Sequence, residues 1–306
     1  MNAIAQIDEL LDPRLFKAFL AAAETENFTL AASVANMTQS GVSQHVAKLE
    51  EQIRAPLFKR LGKTVKLTST GQRLKEYIER CAHSEEDFLE SVRDEQTRLK
   101  GLVSYAMPPS CLLSPHFPML LEKRSDHPDV ELRVYLQPSP RVMEMVASGE
   151  VDFGFVTQKT RHPMLTQKPF CREEYILVGS DKAALKAVRA DNILDHRFIH
   201  YPGSDVYYDF WLRHHFGNKK GLDSFCLPCA GWIDNIDGAI KMVEGGLGYG
   251  IFPRHCVAAS LSAGKVFAFK SKKKPLLNDI YITQLRGHKY PRRVEQVIDW
   301  FMEMAH

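Results

Sequence analysis

The stretch Asn27–Ile53, "NFTLAASVANMTQSGVSQHVAKLEEQI", sets Thr38, Gln39, Ser40, Ser43, Gln44 and His45 close together with little apolar material beside them. Its one Lys or Arg is Lys48. Thr29 reads as the cap of a helix "LAASVANM", and Thr38 as the cap of a second helix, "QSGVSQHVAKLEEQI". So few residues separate the two that they must cross at a steep angle. Ala31, Ala32 and Ala35 permit the close approach, while Val42, Val46, Leu49 and Ile53 recur at helical spacing as a buried stripe. The opposite face then carries Gln39, Ser40, Ser43, Gln44 and Lys48. Ahead of this pair, "PRLFKAFLAAAETEN" repeats Leu15, Phe16, Phe19, Leu20 and Ala23 at helical spacing, with Pro13 in the first turn and Asn27 ending it.

Short amide and hydroxyl side chains near a helix N-terminus suit base edges in a major groove, where backbone NH groups meet phosphate. The alternative is a solvated helical hairpin, and the segment that follows weighs against it. From Arg54 to Lys75, "RAPLFKRLGKTVKLTSTGQRLK", the chain has seven basic residues and no acidic one. "LFKR", the turn "LGK" and the alternating "TVKLT" read as a two-stranded wing that straddles a phosphate backbone. The candidate DNA contacts are therefore Thr38, Gln39, Ser40, Ser43, Gln44, Lys48, Arg60, Lys63 and Lys66.

Composition limits the rest. The chain has 306 residues, 44 % hydrophobic and 25 % charged, enough for two or three domains with sizeable cores. Its formal net charge is only +3, so any nucleic-acid signal must be local. The opening residues carry Asp8, Glu9 and Asp12 and lack a basic cluster followed by an apolar run, so no secretory signal is expected there. No apolar run approaches a membrane span in length. Cys81, Cys111, Cys171, Cys226, Cys229 and Cys256 are scattered and read as reduced thiols of a cytoplasmic protein.

The alanine-rich "FTLAASVANM", the turn and helix "TQSGVSQHVAKLEEQI" and the wing "APLFKRLGKTVKLTSTGQ" resemble, in order and spacing, the LysR-type family of bacterial transcriptional regulators. Ser40 and Gly41 depart from the Pro and Ala more usual there, which touches base preference rather than DNA binding. The resemblance implies double-stranded DNA as a partner and a homo-oligomer, dimer or tetramer.

After Gly71 a long helix is expected, with Leu74, Ile78, Cys81, Phe88, Val92 and Leu99 in a heptad register interrupted by Glu85 and Glu95. Packing onto the protein's own body is one way to cover that stripe. Helix length and flanking charge favour pairing between two subunits, and the resemblance assigns this helix the dimer contact, so Leu74, Ile78, Cys81, Phe88 and Val92 are the candidate dimer residues.

From about Gly101 short apolar strands alternate with helices, the pattern of an α/β domain. "HPDVEL", "SGEVDFGFV" and "MVEGGLGYGIFP" extend the family resemblance, which implies two Rossmann-like subdomains arranged like a periplasmic binding protein. The expected fold is thus a winged helix-turn-helix domain (1–70), a linker helix (71–100) and an α/β effector domain (101–306). Within the last, subdomain I is 101–162 with 269–306 and subdomain II is 163–268, the chain crossing near Arg161 and returning near Lys270.

A ligand cleft in this architecture gathers strand ends and helix N-termini of both subdomains. The candidates are Pro109, Ser110 and Cys111 after the first strand, Ser139 before the second helix, and Thr157 and Gln158 at the first crossover. His200, Tyr201, Gly203, Ser204 and Asn235 come from the second subdomain. Ser110 and Ser139 are placed as helix caps that also offer hydroxyls to a small effector, and the resemblance adds weight to both, though Pro108 stands where the family frequently has a second hydroxyl. The aromatic set Tyr201, Tyr207, Tyr208, Phe210 and Trp211 hints at a partly apolar pocket, although such clusters usually form core.

"GGLGYG" follows a helix and precedes a strand, the reverse of a phosphate-binding loop, so helix termination accounts for it and no cofactor is expected. "CLPC", Cys226–Cys229, leaves a redox- or metal-responsive regulator as the alternative, and "KSKKKP", Lys270–Pro275, reads as a solvated loop. No nucleophile elbow, HExxH or P-loop occurs, so an enzyme is not expected.

Overall fold

A computed structural model describes residues 11–61, 64–92 and 99–305. Contacts divide the chain into two units, Met1–Asp94 and Glu95–His306.

In the first unit a short 3-10 turn, Pro13–Leu15, runs into the helix Phe16–Thr25, which is followed by the helices Phe28–Ala35 and Gln39–Ile53. Each of these three ends on a non-glycine residue in the left-handed region: Glu26 at φ 51, Asn36 at 56 and Arg54 at 57. That geometry stops the helix and turns the chain within one residue. Thr38 caps as expected, its Oγ1 accepting from Gly41 N at 3.0 Å. The cap of Phe28–Ala35 is Asn27 rather than Thr29, because its side-chain oxygen reaches Thr29 N at 2.8 Å and Leu30 N at 3.2 Å. The residue that was to end one helix thus begins the next. Ala18, Ala22, Ala31 and Ala35 pack the helix crossing with Val42, where side chains of one carbon allow close backbone approach.

Strands β1 (Phe58–Leu61) and β2 (Thr64–Leu67) pair antiparallel, with Lys59 opposite Lys66. The helix Ser69–Val92 follows, starting two residues earlier than expected. Thr68 Oγ1 accepts from Gly71 N at 3.0 Å and donates to Pro56 O at 2.7 Å, fixing the helix to the wing. A Cβ on Gly71 would lie 2.1 Å from Leu57 O, so this position admits only glycine.

The long helix departs from the expected dimer stripe at Leu74 and Ile78. Leu74 and Ile78, each 5 % exposed, pack into the unit's own core with Leu15, Phe19, Leu49 and Leu57. A second subunit has nothing left to cover there. Among the described side chains of this helix the large exposed apolar residues are Tyr77, Phe88 and Leu89, while Cys81 is half-buried. Leu99 belongs to the core of the second unit, and the Val92 side chain lies outside the described residues.

The second unit is built on one sheet. β3 (Gly101–Met107) lies parallel to β4 (Val130–Leu136) and to β5 (Phe153–Val156). β6 (Leu165–Gly179) follows, then β7 (Phe198–His200) and β8 (Cys229–Trp232), which form a separate parallel pair. β9 (Gly250–Pro253) and β10 (Phe267–Ala268) both pair with β6, and β11 (Leu277–Leu285) returns between β5 and β6. Within β6 the partner changes: Leu165–Glu174 pairs with β11, whereas Tyr175–Val178 pairs with β9. The first crossing between sheet halves thus falls inside a continuous strand near Glu174, and we place the subdomain boundary there in place of 162/163.

Each half has its own aromatic core. Tyr105 stacks on Phe153 at 5.1 Å with Phe155, Phe170 and Phe301 around it, while Phe198, Tyr208 and Trp211 centre the other half. Burial of each such ring contributes about 1.5–3 kcal/mol. Behind β3, buried Asp152 accepts from Ser104 N at 2.6 Å and Ser104 Oγ at 2.9 Å, which fixes the turn entering β5.

Candidate functional site

In the first unit the helix Gln39–Ile53 buries Val42, Val46 and Leu49 and exposes Thr38, Gln39, Ser40, Gln44 and Lys48, with Ser43 half-buried. The polar groups bond to one another as well as to the backbone: Gln39 Nε2 donates to Ser43 Oγ at 3.1 Å, and Thr38, which also caps Gly41 N, shares a hydroxyl bond with Ser40 at 3.1 Å. Such bonds at an exposed helix start exchange readily for base edges or phosphate. Lys63 lies outside the described residues, as does the side chain of Arg60. Lys66 makes a contact that the sequence did not suggest, an ion pair to Glu26 at 2.7 Å. The acid-free run is therefore not free of acid in space. To meet a phosphate, Lys66 would have to exchange its Glu26 partner.

The second unit holds a cleft of about 190 Å³ where five segments meet. Pro109 and Ser110 follow β3, Ser139 starts the helix Ser139–Ala147, and Thr157 and Gln158 follow β5. Tyr201 and Gly203 precede the helix Ser204–Phe216, and Asn235 precedes Ile236–Glu244. Eight of the candidates are brought together in this way. Cys111, His200 and Ser204 do not line the cleft. Cys111 faces an adjacent cavity of about 170 Å³. His200 leaves β7 toward the Tyr208 ring, and buried Ser204 turns inward, its Oγ accepting from Tyr201 N at 3.1 Å. Pro108, Pro138, Met143, Thr160 and Val206 complete much of the lining and were not foreseen as ligand contacts, and Tyr207 joins it from the aromatic set that hinted at a partly apolar pocket.

Neither serine is a cap. Pro108 and Pro138 occupy the cap positions, two residues ahead of Ser110 and one ahead of Ser139. Ser139 Oγ instead bonds Thr157 Oγ1 and accepts from Thr157 N, both at 3.1 Å, linking the helix start to the end of β5. Ser110 is 4 % exposed, and its Oγ meets no nitrogen or oxygen partner among the described residues. Its carbonyl is held by His255 Nε2 at 3.0 Å and by Cys256 Sγ at 3.6 Å.

Behind the cleft Glu173 sits in β6, 6 % exposed, accepting from the Tyr175 hydroxyl. Tyr175 stacks at 4.5 Å on Tyr207, which lines the cleft, and Glu173 itself lines the adjacent cavity. Asn278 Nδ2 donates to Thr157 O at 2.9 Å from the paired position on β11. Burial pushes the Glu173 carboxyl up to about 7, against an ordinary value of 4.5. The thiols of Cys111 and Cys256 are raised by burial and by this carboxylate, and that of Cys171, for the same reasons, to about 12. A glutamate in a strand gives no signal in sequence that it will be interior.

The folded chain keeps a proton on Glu173 between pH 4.5 and about 7, where the unfolded chain has lost it. Stability from this group is full below the lower value and declines as pH rises toward the upper one, by roughly 3 kcal/mol in all. Denaturant melts at pH 5 and pH 8 should show this decline in the parent and its loss in Glu173→Gln. An unchanged slope in the variant would remove Glu173 as its source.

Two family descriptions match the chain: "Bacterial regulatory helix-turn-helix protein, lysR family" over residues 13–72, and "LysR substrate binding domain" over residues 96–305. The HTH-type transcriptional regulator GltR of Bacillus subtilis is 24 % identical over 92 % of this chain and 99 % of its own. The uncharacterized HTH-type regulator YbhD of Escherichia coli is 28 % identical, but that match spans only 53 % of this chain and 51 % of YbhD. Among solved structures, full-length CbnR in complex with its target DNA shares the fold at a TM-score of 0.69 and 18 % identity, over 96 % of this chain and 99 % of that one. No helix among the described residues is long and apolar enough to cross a membrane.

Proposed function

The chain belongs to the LysR family of bacterial regulators, which makes it a DNA-binding transcriptional regulator, and from that premise we propose that a small organic effector in the Ser139–Thr157 cleft sets how it engages DNA. The observation that carries this reading is the convergence of the Ser139–Thr157 hydroxyls with the N-termini of three helices, starting at Ser139, Ser204 and Ile236, on one cavity. NH dipoles at those termini favour a carboxylate or a similar acceptor.

The lining narrows the class. Pro108, Pro109, Pro138, Pro140 and Pro202 remove NH donors, and Met143 and Val206 add apolar wall. Asp234 is the only charged residue among the described lining residues, and no Lys or Arg accompanies it. A multiply charged anion would lack a counterion there, so the reading is a neutral or singly anionic molecule with an apolar body. An effector shifts regulation only as far as it binds the two cleft states differently.

On this reading the protein works in the cytoplasm, without catalysis, as a homo-oligomer. The exposed Tyr77, Phe88 and Leu89 on the linker helix supply the apolar edge for a second copy.

The competing reading puts sensing at Cys226 and Cys229. Both are exposed, but a hydrogen bond to Asp223 raises the Cys226 thiol, which suppresses the reactive thiolate. In a reporter assay Ser110→Ala with Ser139→Ala should silence the response to effector while basal DNA binding stays near parent. Cys226→Ser with Cys229→Ser should respond as the parent does. The reverse pattern would move the sensor to the cysteines.

A further inference from the structure

The largest cavity described, about 590 Å³, shares no lining residue with the effector cleft, and its walls are cationic. Lys182 and Lys186 stand on the helix Lys182–Ala187, and Lys270, Lys273 and Lys274 on the segment between β10 and β11. Among the described lining residues the only carboxylate is Glu174, and Arg254 clasps it with two nitrogens. Five lysines therefore surround one concavity with no carboxylate of their own in it. Like charges gathered without compensation destabilise the fold and raise the local anion concentration. Aromatic rings back the cavity: Trp211 meets Phe269 edge-on at 5.3 Å, and Lys182 lies over Phe267.

"KSKKKP" is the solvated loop expected, exposed from Lys270 to Pro275, and hydrogen bonds tie it to the end of the helix Ser204–Phe216. Lys273 Nζ donates to His214 O at 2.8 Å, His214 Nε2 bonds Lys274 O at 2.8 Å, and His215 Nδ1 bonds Ser271 Oγ at 3.0 Å. Ser271 Oγ also accepts from Lys273 N at 3.0 Å. Burial above all, and then the nearby His214 and Lys273, depresses the His215 imidazole to about 4.

We propose that this cavity is a second ligand site, for a small molecule carrying two or more phosphate groups. A flexible polyphosphate brings several charges into a concave space, whereas the stiff backbone of a duplex spreads its charges over a convex surface. The site touches the segment by which the chain returns from β10 to β11, so a bound polyphosphate holds that return segment.

The test is calorimetry on the full chain with sodium tripolyphosphate and with ATP, both in EDTA, and with orthophosphate as a single-phosphate control. Saturable binding of tripolyphosphate, one per chain, with orthophosphate weaker by about tenfold or more, is expected. Lys273→Glu with Lys274→Glu should weaken it by about tenfold or more. Lys186→Glu, on the opposite wall and outside the loop's hydrogen bonds, should weaken it in the same direction if loop folding is a concern. Tighter binding of ATP than of tripolyphosphate identifies a nucleotide as the source, and equal binding identifies the polyphosphate chain alone. No saturable uptake by the parent, unchanged affinity in the variants, or displacement by random duplex DNA, which would put the anion on the wing, would each overturn the proposal.

Discussion

Ile78→Asp is expected to abolish DNA binding by unfolding the N-terminal unit, not by separating subunits. Ile78 is 5 % exposed among Leu15, Phe19, Leu49, Leu57 and Leu74. An aspartate there leaves a carboxylate in an apolar core with no partner, at a cost of roughly 3–5 kcal/mol. That is comparable with the whole stability of a domain this small. Thermal melts should show the N-terminal transition lost and that of residues 95–306 retained. Leu89→Asp, at a residue 42 % exposed, should leave both transitions in place and lower the mass in light scattering. A parent-like melt for Ile78→Asp would mean that the helix Ser69–Val92 is not part of that core.

The second large effect concerns base reading. Replacing Gln39 and Gln44 together by alanine removes two exposed amides from the start of the helix Gln39–Ile53 without touching Val42, Val46 or Leu49. A well-placed amide is worth about 1–3 kcal/mol of discrimination against a wrong base. The double variant should therefore lose about tenfold to several-hundredfold in affinity for the preferred site while binding random duplex almost as the parent does. Electrophoretic mobility shifts on both duplexes read the two losses separately. Equal losses would assign the glutamines to folding or to phosphate.

The sequence was most legible where local chemistry decides. Helix spacing, the Thr38 cap and the basic hairpin needed no knowledge of distant residues, and all appear in the structure. It was least legible where the outcome depended on which surface arrives from elsewhere. Leu74 and Ile78 carry the same heptad signature whether a partner or Leu49 covers them, and only the fold chooses Leu49. Glu26 lies forty residues before Lys66, so their pairing is invisible along the chain. Much of the cleft could be found because strand ends and helix starts are legible. Tyr207 reads from sequence as either pocket or core, and it serves as both, stacking on Tyr175 while lining the cleft. The first half of β6, "LTQKPF", gives no clear strand signal because it is largely polar, and its pairing with β11 rather than its own propensity makes it a strand.

Selection of preferred duplexes from a random library, followed by fluorescence anisotropy of the winning and shuffled sites across a salt series, tests the central claim most directly. A regulator that reads bases with its helix Gln39–Ile53 should hold the winning site about a thousandfold or more tighter than the shuffled one at physiological salt. Both affinities should fall as salt rises, the mark of phosphate contacts. Failure of any sequence to enrich, or equal affinity for winning and shuffled duplexes at every salt concentration, would contradict it.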